Sequence, residues 1–246
     1  MSSTAISPGY TANSAEVLGG GFQPSFMQDT TPMVFVLDED ASVRESLDFL
    51  LHRAGWRSET FASAQGFLAT PPAVVPNCLV LDASLSCPNA LDLQKSVAID
   101  RPGMSIIFIA ASVDLATTVR AMKAGAIEFF TKPFPEDALL VSIREALKRS
   151  SVSLAREAEM RALCDRYSVL SRREREVMAL VASGLLNKQV GGELGISEIT
   201  VKAHRGRVMQ KMKANSLADL VKMAEKLPLT LSKDEDCTFS VLGSLQ

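Results

Sequence analysis

The 246-residue sequence predicts a doubly wound, five-stranded parallel α/β domain followed by an all-α domain of four helices. Three observations carry this. Between residues 32 and 150, short β-branched or apolar runs alternate with amphipathic stretches, the pattern of a parallel sheet with right-handed crossovers and helices on both faces. Beyond residue 168 the strand-like runs stop, and helix, tight Gly-containing turn and helix follow one another. Charge divides at the same place: residues 32–150 carry 11 basic and 14 acidic side chains, whereas residues 168–226 carry 11 and 6. An acidic first half beside a basic second half points to a nucleic-acid partner for the second.

In order along the chain, residues 1–31 are rich in Ser, Thr, Gly and Pro and poor in large apolar side chains. They bury too little to offset ordering entropy, so a disordered tail is expected. The expected strands are MVFVL (33–37), RSETF (57–61), CLVL (78–81), SIIFI (105–109) and IEFF (127–130). Between the first two, SVRESLDFLLHRAG places Val43, Leu47, Leu50 and Leu51 on one helical face, and Gly55 supplies the stop. A helix at about 136–149 closes the domain at 32–150 and passes into a polar connector of balanced charge, expected as a helical linker at 151–167. In the domain at 168–227, Ser171 caps the helix RREREVMALVAS, Glu174 completes a capping box, and Gly184 ends it. NKQVGGEL (187–194), the turn GIS, a helix from Glu198 to about Lys213 and a last helix LADLVKMAEKL before Pro228 complete it. On the helix from Glu198, Ile199, Val208 and Met212 are expected to face inward, while Lys202, Arg205, Arg207, Lys211 and Lys213 oppose the single acid Glu198. Residues 228–246 are expected to be a second disordered tail.

Composition excludes several classes. The start, MSSTAISPGY, has no basic n-region, and the longest apolar stretch, near MSIIFIAASV, is far short of the roughly 18 residues of a membrane span. A soluble, cytoplasmic protein is expected. The cysteines, Cys78, Cys87, Cys164 and Cys237, fit neither a disulfide framework nor paired zinc ligands. His52 and His204 fall in different domains, which disfavours a His-based metal site or triad.

In an open parallel sheet, ligands bind beyond the carboxyl ends of the strands, where strand order reverses. The residues at those ends are Asp38, Glu39 and Asp40 after the first strand, Asp82 after the third, Ala110 after the fourth, and Thr131, Lys132 and Pro133 after the fifth. Carboxylates gathered in one crevice repel unless a hard divalent cation joins them, and magnesium fits.

The segments VFVLDEDASVRESLDFLL, CLVLD, TVRAMKAGAIEFF and TKPF resemble the receiver domain of two-component response regulators, specifically the FixJ-like group, over about residues 32–150. The resemblance implies a flavodoxin-like fold in which Asp82 accepts a phosphoryl group from a sensor histidine kinase. It further implies that Asp38, Glu39, Asp82 and the Ser84 backbone carbonyl hold magnesium, that Lys132 pairs with the phosphoryl oxygens, and that Phe129 is the aromatic partner of the switch. Three departures stand out: Glu39 where the family usually has Asp, the loop ASLSCPNA after Asp82, and Ala110 where the family carries a Ser or Thr whose hydroxyl follows the phosphoryl group.

Residues 168–227 resemble the LuxR-type DNA-binding domain through Leu170, Arg173, Glu174, Glu176, Gly184, Asn187, Lys188, Leu194, Ser197, Thr200, Val201, Lys202, His204 and Lys211. By that resemblance Lys202, Ala203 and Gly206 face base edges, with Thr200, His204, Arg207 and Lys188 nearer the DNA backbone. Gly191 and Gly192 depart from the family's usual Ala or similar small residues, each at about 1 kcal/mol of helix propensity. The function implied is a bacterial transcription regulator with a promoter operator, a histidine kinase, a second copy of itself and RNA polymerase as partners. The alternative, kept alive by Ala110, is a LuxR-type factor whose receiver is a phosphorylation-independent dimerisation or partner-binding module. An enzyme using Asp82 as nucleophile is disfavoured, because DASL offers no second Asp two residues on and no Gly-rich phosphate loop follows any strand.

Overall fold

The computed structural model describes residues 31–85, 89–112 and 114–227. The expected tails at 1–31 and 228–246 lie almost wholly outside these residues, as does Cys87. Strands β1 (Met33–Leu37), β2 (Arg57–Phe61), β3 (Asn77–Asp82), β4 (Ser105–Ala110) and β5 (Glu128–Thr131) form one parallel sheet in the order β2-β1-β3-β4-β5. Strand order reverses between β1 and β3, so the predicted crevice lies where Asp38 follows β1 and Asp82 ends β3.

Helices α1 (Ala41–Arg53), α2 (Ala64–Ala69), α3 (Ala90–Asp100) and α4 (Leu115–Lys123), with α5 (Glu136–Ser168), cover the sheet. Alternate residues of each central strand feed two cores. Phe35, Leu37, Leu79, Leu81 and Phe108 pack on one side with Phe67, Leu93 and Val97. Val34, Val36, Val80, Ile107 and Ile109 pack on the other with Leu47, Leu50, Leu51, Leu139 and Ile143. β3 is buried along its whole length, as expected of the central strand of a doubly covered parallel sheet.

α5 runs 33 residues without interruption, about 50 Å by the rise of an α-helix. No Gly or Pro occurs between Glu136 and Ser168, so the change to polar composition at 151 does not break it. Its first half contributes Leu139, Ile143, Ala146 and Leu147 to the sheet core. Its second half contributes Leu163 and Met160 to a third core. That core is formed by α6 (Arg172–Ala182), α7 (Asn187–Leu194), α8 (Glu198–Met212) and α9 (Leu217–Lys226), with Val177, Met178, Val190, Val201, Val208, Met212 and Leu220 at its centre. Arg166 donates to the Met212 carbonyl oxygen and Lys226 pairs with Glu159, so the end of α5 is fastened to both α8 and α9.

Candidate functional sites

The acidic crevice holds three side chains in direct contact. Lys132 Nζ lies 2.6 Å from Asp38 Oδ2 and 2.7 Å from Asp82 Oδ2. The other carboxylate oxygens are held from behind: the Asp40 amide donates to Asp38 Oδ1 at 2.9 Å, and the Ser84 amide and hydroxyl donate to Asp82 Oδ1 at 2.7 and 2.6 Å. Asp38 and Asp82 are buried, and Lys132, which follows β5 before a cis bond to Pro133, is half-buried. Each carboxylate therefore gives one oxygen to protein donors and turns the other toward a cation. A pair of hard oxygens presented this way is what magnesium takes while keeping several waters.

Electrostatics separate the two acids. Burial raises the Asp38 pKa, aided by the charge of Asp82, and outweighs the bonds from Lys132 and Asp40. Burial also acts on Asp82, but the bonds from Lys132 and Ser84 together outweigh it and hold this carboxyl below the ordinary range. Lys132 is likewise moved above its usual value, because the two carboxylates more than offset its desolvation. Asp82 is thus the more acidic of the two, and its Oδ2 is the oxygen turned toward Lys132.

Two of the expected carboxylates are not brought to this pair. Asp40 turns back to cap α1, accepting from the Ser42 amide at 2.8 Å. Glu39 is exposed, and its backbone carbonyl, with that of Asp38, accepts from the Arg44 guanidinium at 2.9 and 2.8 Å. Among the described residues no group of three or more acidic, His or Cys side chains forms a metal cluster. Of the loop ASLSCPNA, Ser84 is placed against Asp82, whereas residues 86–88 lie outside the described residues.

Ala110 is the last residue of β4; it is buried, and its carbonyl oxygen accepts from the Lys132 amide at 2.7 Å. Phe129 is half-buried with its ring stacked on Phe108, centroids 5.9 Å apart and planes 14° from parallel. These two residues face each other in the β4–β5 register. The Arg44 clamp, the Ser84 hydroxyl and the Phe108 stack went unnoticed in the sequence. An Asp followed two residues later by Ser is a local turn signal for the second of them, and nothing local marks the other two.

The second site is built on α8. Ser171 and Glu174 form the expected capping box, but Glu174 does more. It is buried, and Lys211 near the end of α8 pairs with it at 2.7 Å while donating to the Val169 carbonyl oxygen. That pairing, with the Ser171 amide, pulls the Glu174 carboxyl down to about 2. Lys211 is therefore a brace between α6 and α8. Arg173 similarly joins Glu176 to the Leu194 carbonyl oxygen at the end of α7. The turn between α7 and α8 is made by Gly195 at φ 65°, in the left-handed region that favours glycine. Lys188, Thr200, Lys202, Ala203, Gly206 and Arg207 are all exposed, Lys202 pairing with Glu198 at 3.0 Å. His204 is half-buried, and its Nδ1 is turned inward without a hydrogen-bond partner. Ile199 corrects the expected inward stripe: it is 80% exposed, and Val201 takes its place beside Val208 and Met212. Residues 199 and 208 are nine apart, or two and a half helical turns, and so stand on opposite faces.

Comparison with known proteins agrees with both halves. Residues 34–144 match the model of the response regulator receiver domain, and residues 168–224 match that of the bacterial regulatory proteins of the luxR family. Nodulation protein W of Bradyrhizobium diazoefficiens is 42% identical over 206 residues, covering 84% of this chain and 91% of the relative. The transcriptional regulatory protein FixJ of the same organism is 36% identical over 191 residues, covering 78% and 93%. The solved structure of the response regulator StyR superimposes with a TM-score of 0.70 at 46% identity, covering 80% of this chain and all of that one. No helix among the described residues is long and apolar enough to cross a membrane. The chain belongs to the FixJ-like response regulators, in which a receiver domain is joined to a LuxR-type DNA-binding domain, and it regulates transcription in a two-component system.

Proposed function

We propose that this regulator is switched at Asp82. Its Oδ2 attacks the phosphorus of a phosphohistidine on a sensor kinase; the P–O bond forms as the P–N bond breaks, and the imidazole keeps the electron pair. The observation that carries this reading is the Lys132 ammonium set between Asp38 and Asp82 at the switch point of the sheet. Phosphoryl transfer asks the protein for positioned charge more than for covalent help. Lys132, already at the attacking oxygen, pairs with the phosphoryl oxygens that arrive there. Asp38 and Asp82, with the Ser84 backbone carbonyl, would hold magnesium, which would supply further positive charge when bound; Glu39 would reach it only by turning in from its exposed position. Phosphorylation favours a homodimer that occupies a promoter operator, where RNA polymerase is the downstream partner, in the cytoplasm. On α8, Lys202, Ala203 and Gly206 meet base edges, and Thr200, His204, Arg207 and Lys188 meet the DNA backbone.

The test is intact mass after incubation with acetyl phosphate and magnesium. One added phosphoryl group on the wild type and none on Asp82→Asn is expected; equal modification of both would remove Asp82 from the role. A second reading, a receiver that serves as a phosphorylation-independent dimerisation or partner-binding module, is favoured by the Ala110 methyl, which offers no donor to a phosphoryl oxygen. DNA binding that is the same before and after stoichiometric phosphorylation would select it.

A further inference from the structure

The outward face of α8 carries no charged side chain, although the helix is strongly cationic. Val201, Val208 and Met212 are buried and fix the inward direction. At 100° per residue the opposite direction belongs to Ile199, Ala203, Gly206 and Gln210, all exposed. Lys202 and Arg207 stand on either flank of this ridge, and Lys188 is exposed at the start of α7. A lone exposed apolar side chain needs no explanation, but one on an uncharged ridge between cations fits a surface whose rim is phosphate and whose floor is base edges.

Gly206 gives an independent observation. A glycine inside a helix lowers helix propensity, and here the protein's own packing gives no reason for it, since a Cβ at 206 would meet nothing within 4 Å. A side chain there would stand only in the way of something that approaches from outside. With Ala203 and Gly206 small, the helix axis can come close to that surface, and Ile199, one turn nearer the N-terminus on the same face, is the longest apolar side chain to reach it.

We propose that Ile199 is a specificity-determining residue whose side chain packs on the 5-methyl group of a thymine in the major groove, where that methyl is the apolar mark of the base. This rests on α8 being the helix that enters DNA. The full chain, with acetyl phosphate and magnesium, is used to select a duplex from a random pool, and each thymine of that duplex is then replaced singly by uracil, which removes only the methyl. Uracil at one thymine of each half-site is expected to weaken wild-type binding about fourfold, the value of one buried methyl-sized group. Ile199→Ala is expected to be insensitive to uracil there and to keep the wild-type melting temperature, salt slope and affinity for random duplexes. A full uracil effect in Ile199→Ala at every thymine, or an equal loss on selected and random duplexes, overturns the proposal. Weakened self-association of Ile199→Ala with an unchanged uracil profile overturns it in favour of a protein contact. A folded wild type that selects no duplex would instead defeat the DNA-binding reading of α8, and this proposal with it.

Discussion

Ala110 is held by its backbone, with a carbonyl bond to the Lys132 amide, while its buried methyl offers nothing to a phosphoryl oxygen. A ligand shifts an equilibrium only by its differential interaction with the two states. Ala110→Thr restores a hydroxyl whose bond to a charged group is worth about 1.5–3 kcal/mol. The gain in DNA affinity on phosphorylation, read by anisotropy, is therefore expected to rise about tenfold or more over the wild type; a wild type that already switches tenfold, with nothing added by the threonine, would refute this. Glu174 makes a prediction of a different kind. Its folded pKa of about 2 lies below the ordinary 4.5, so its contribution is complete above about pH 5 and is lost as pH falls toward 2. Glu174→Gln is expected to cost about 2–3 kcal/mol at pH 7 and little near pH 2.5, measured by denaturant unfolding. A gap that does not narrow with acid would show that charge is not what Glu174 contributes. At this scale Asp38, Asp82 and Lys132 were legible in the sequence, because each stands at the carboxyl end of a strand and the switch-point rule brings those ends together. Asp40 follows the same strand yet is turned back by its capping bonds to α1, and Glu39 is exposed, neither of which strand position encodes. Ile199 was misplaced by counting apolar residues without their phase.

The elements follow closely from pattern, since the two periodicities decide which face each side chain joins. Strand ends moved by one residue, as hydrogen-bonded boundaries do. The continuity of α5 was harder to see, because a change from apolar to polar composition looks like a boundary, although polarity alone does not end a helix. α7 carries the sharpest test of an element. Its adjacent glycines have opposite reasons to exist. A Cβ at Gly191 would stand 2.7 Å from the Ile196 carbonyl oxygen, whereas one at Gly192 would meet nothing within 4 Å. Gly192→Ala is expected to stabilise the protein by about 0.5–1 kcal/mol through helix propensity, and Gly191→Ala to destabilise it by about 1–3 kcal/mol through overpacking. Thermal melting of both variants decides; stabilisation by both would mean that the turn yields to the extra methyl.

At the scale of the whole molecule, among the described residues α5 is the one element that contributes side chains both to the sheet core and to the core beneath α8. Its first half packs against β3 and β4, the strands that end in Asp82 and Ala110, and its last turns hold α8 through Arg166 and the Met212 carbonyl oxygen. A charge added at Asp82 can thus bias an element continuous with the DNA-binding helices, provided that the receiver has two states for it to choose between. The central claim is that phosphorylation of this one carboxylate governs DNA binding. The most direct measurement is the affinity of the full chain for its selected duplex, by anisotropy, with and without acetyl phosphate and magnesium, in wild type and Asp82→Asn. A gain in the wild type that is absent from Asp82→Asn is the expected result; an equal gain in both, or none in a wild type shown by mass to be phosphorylated, would contradict it.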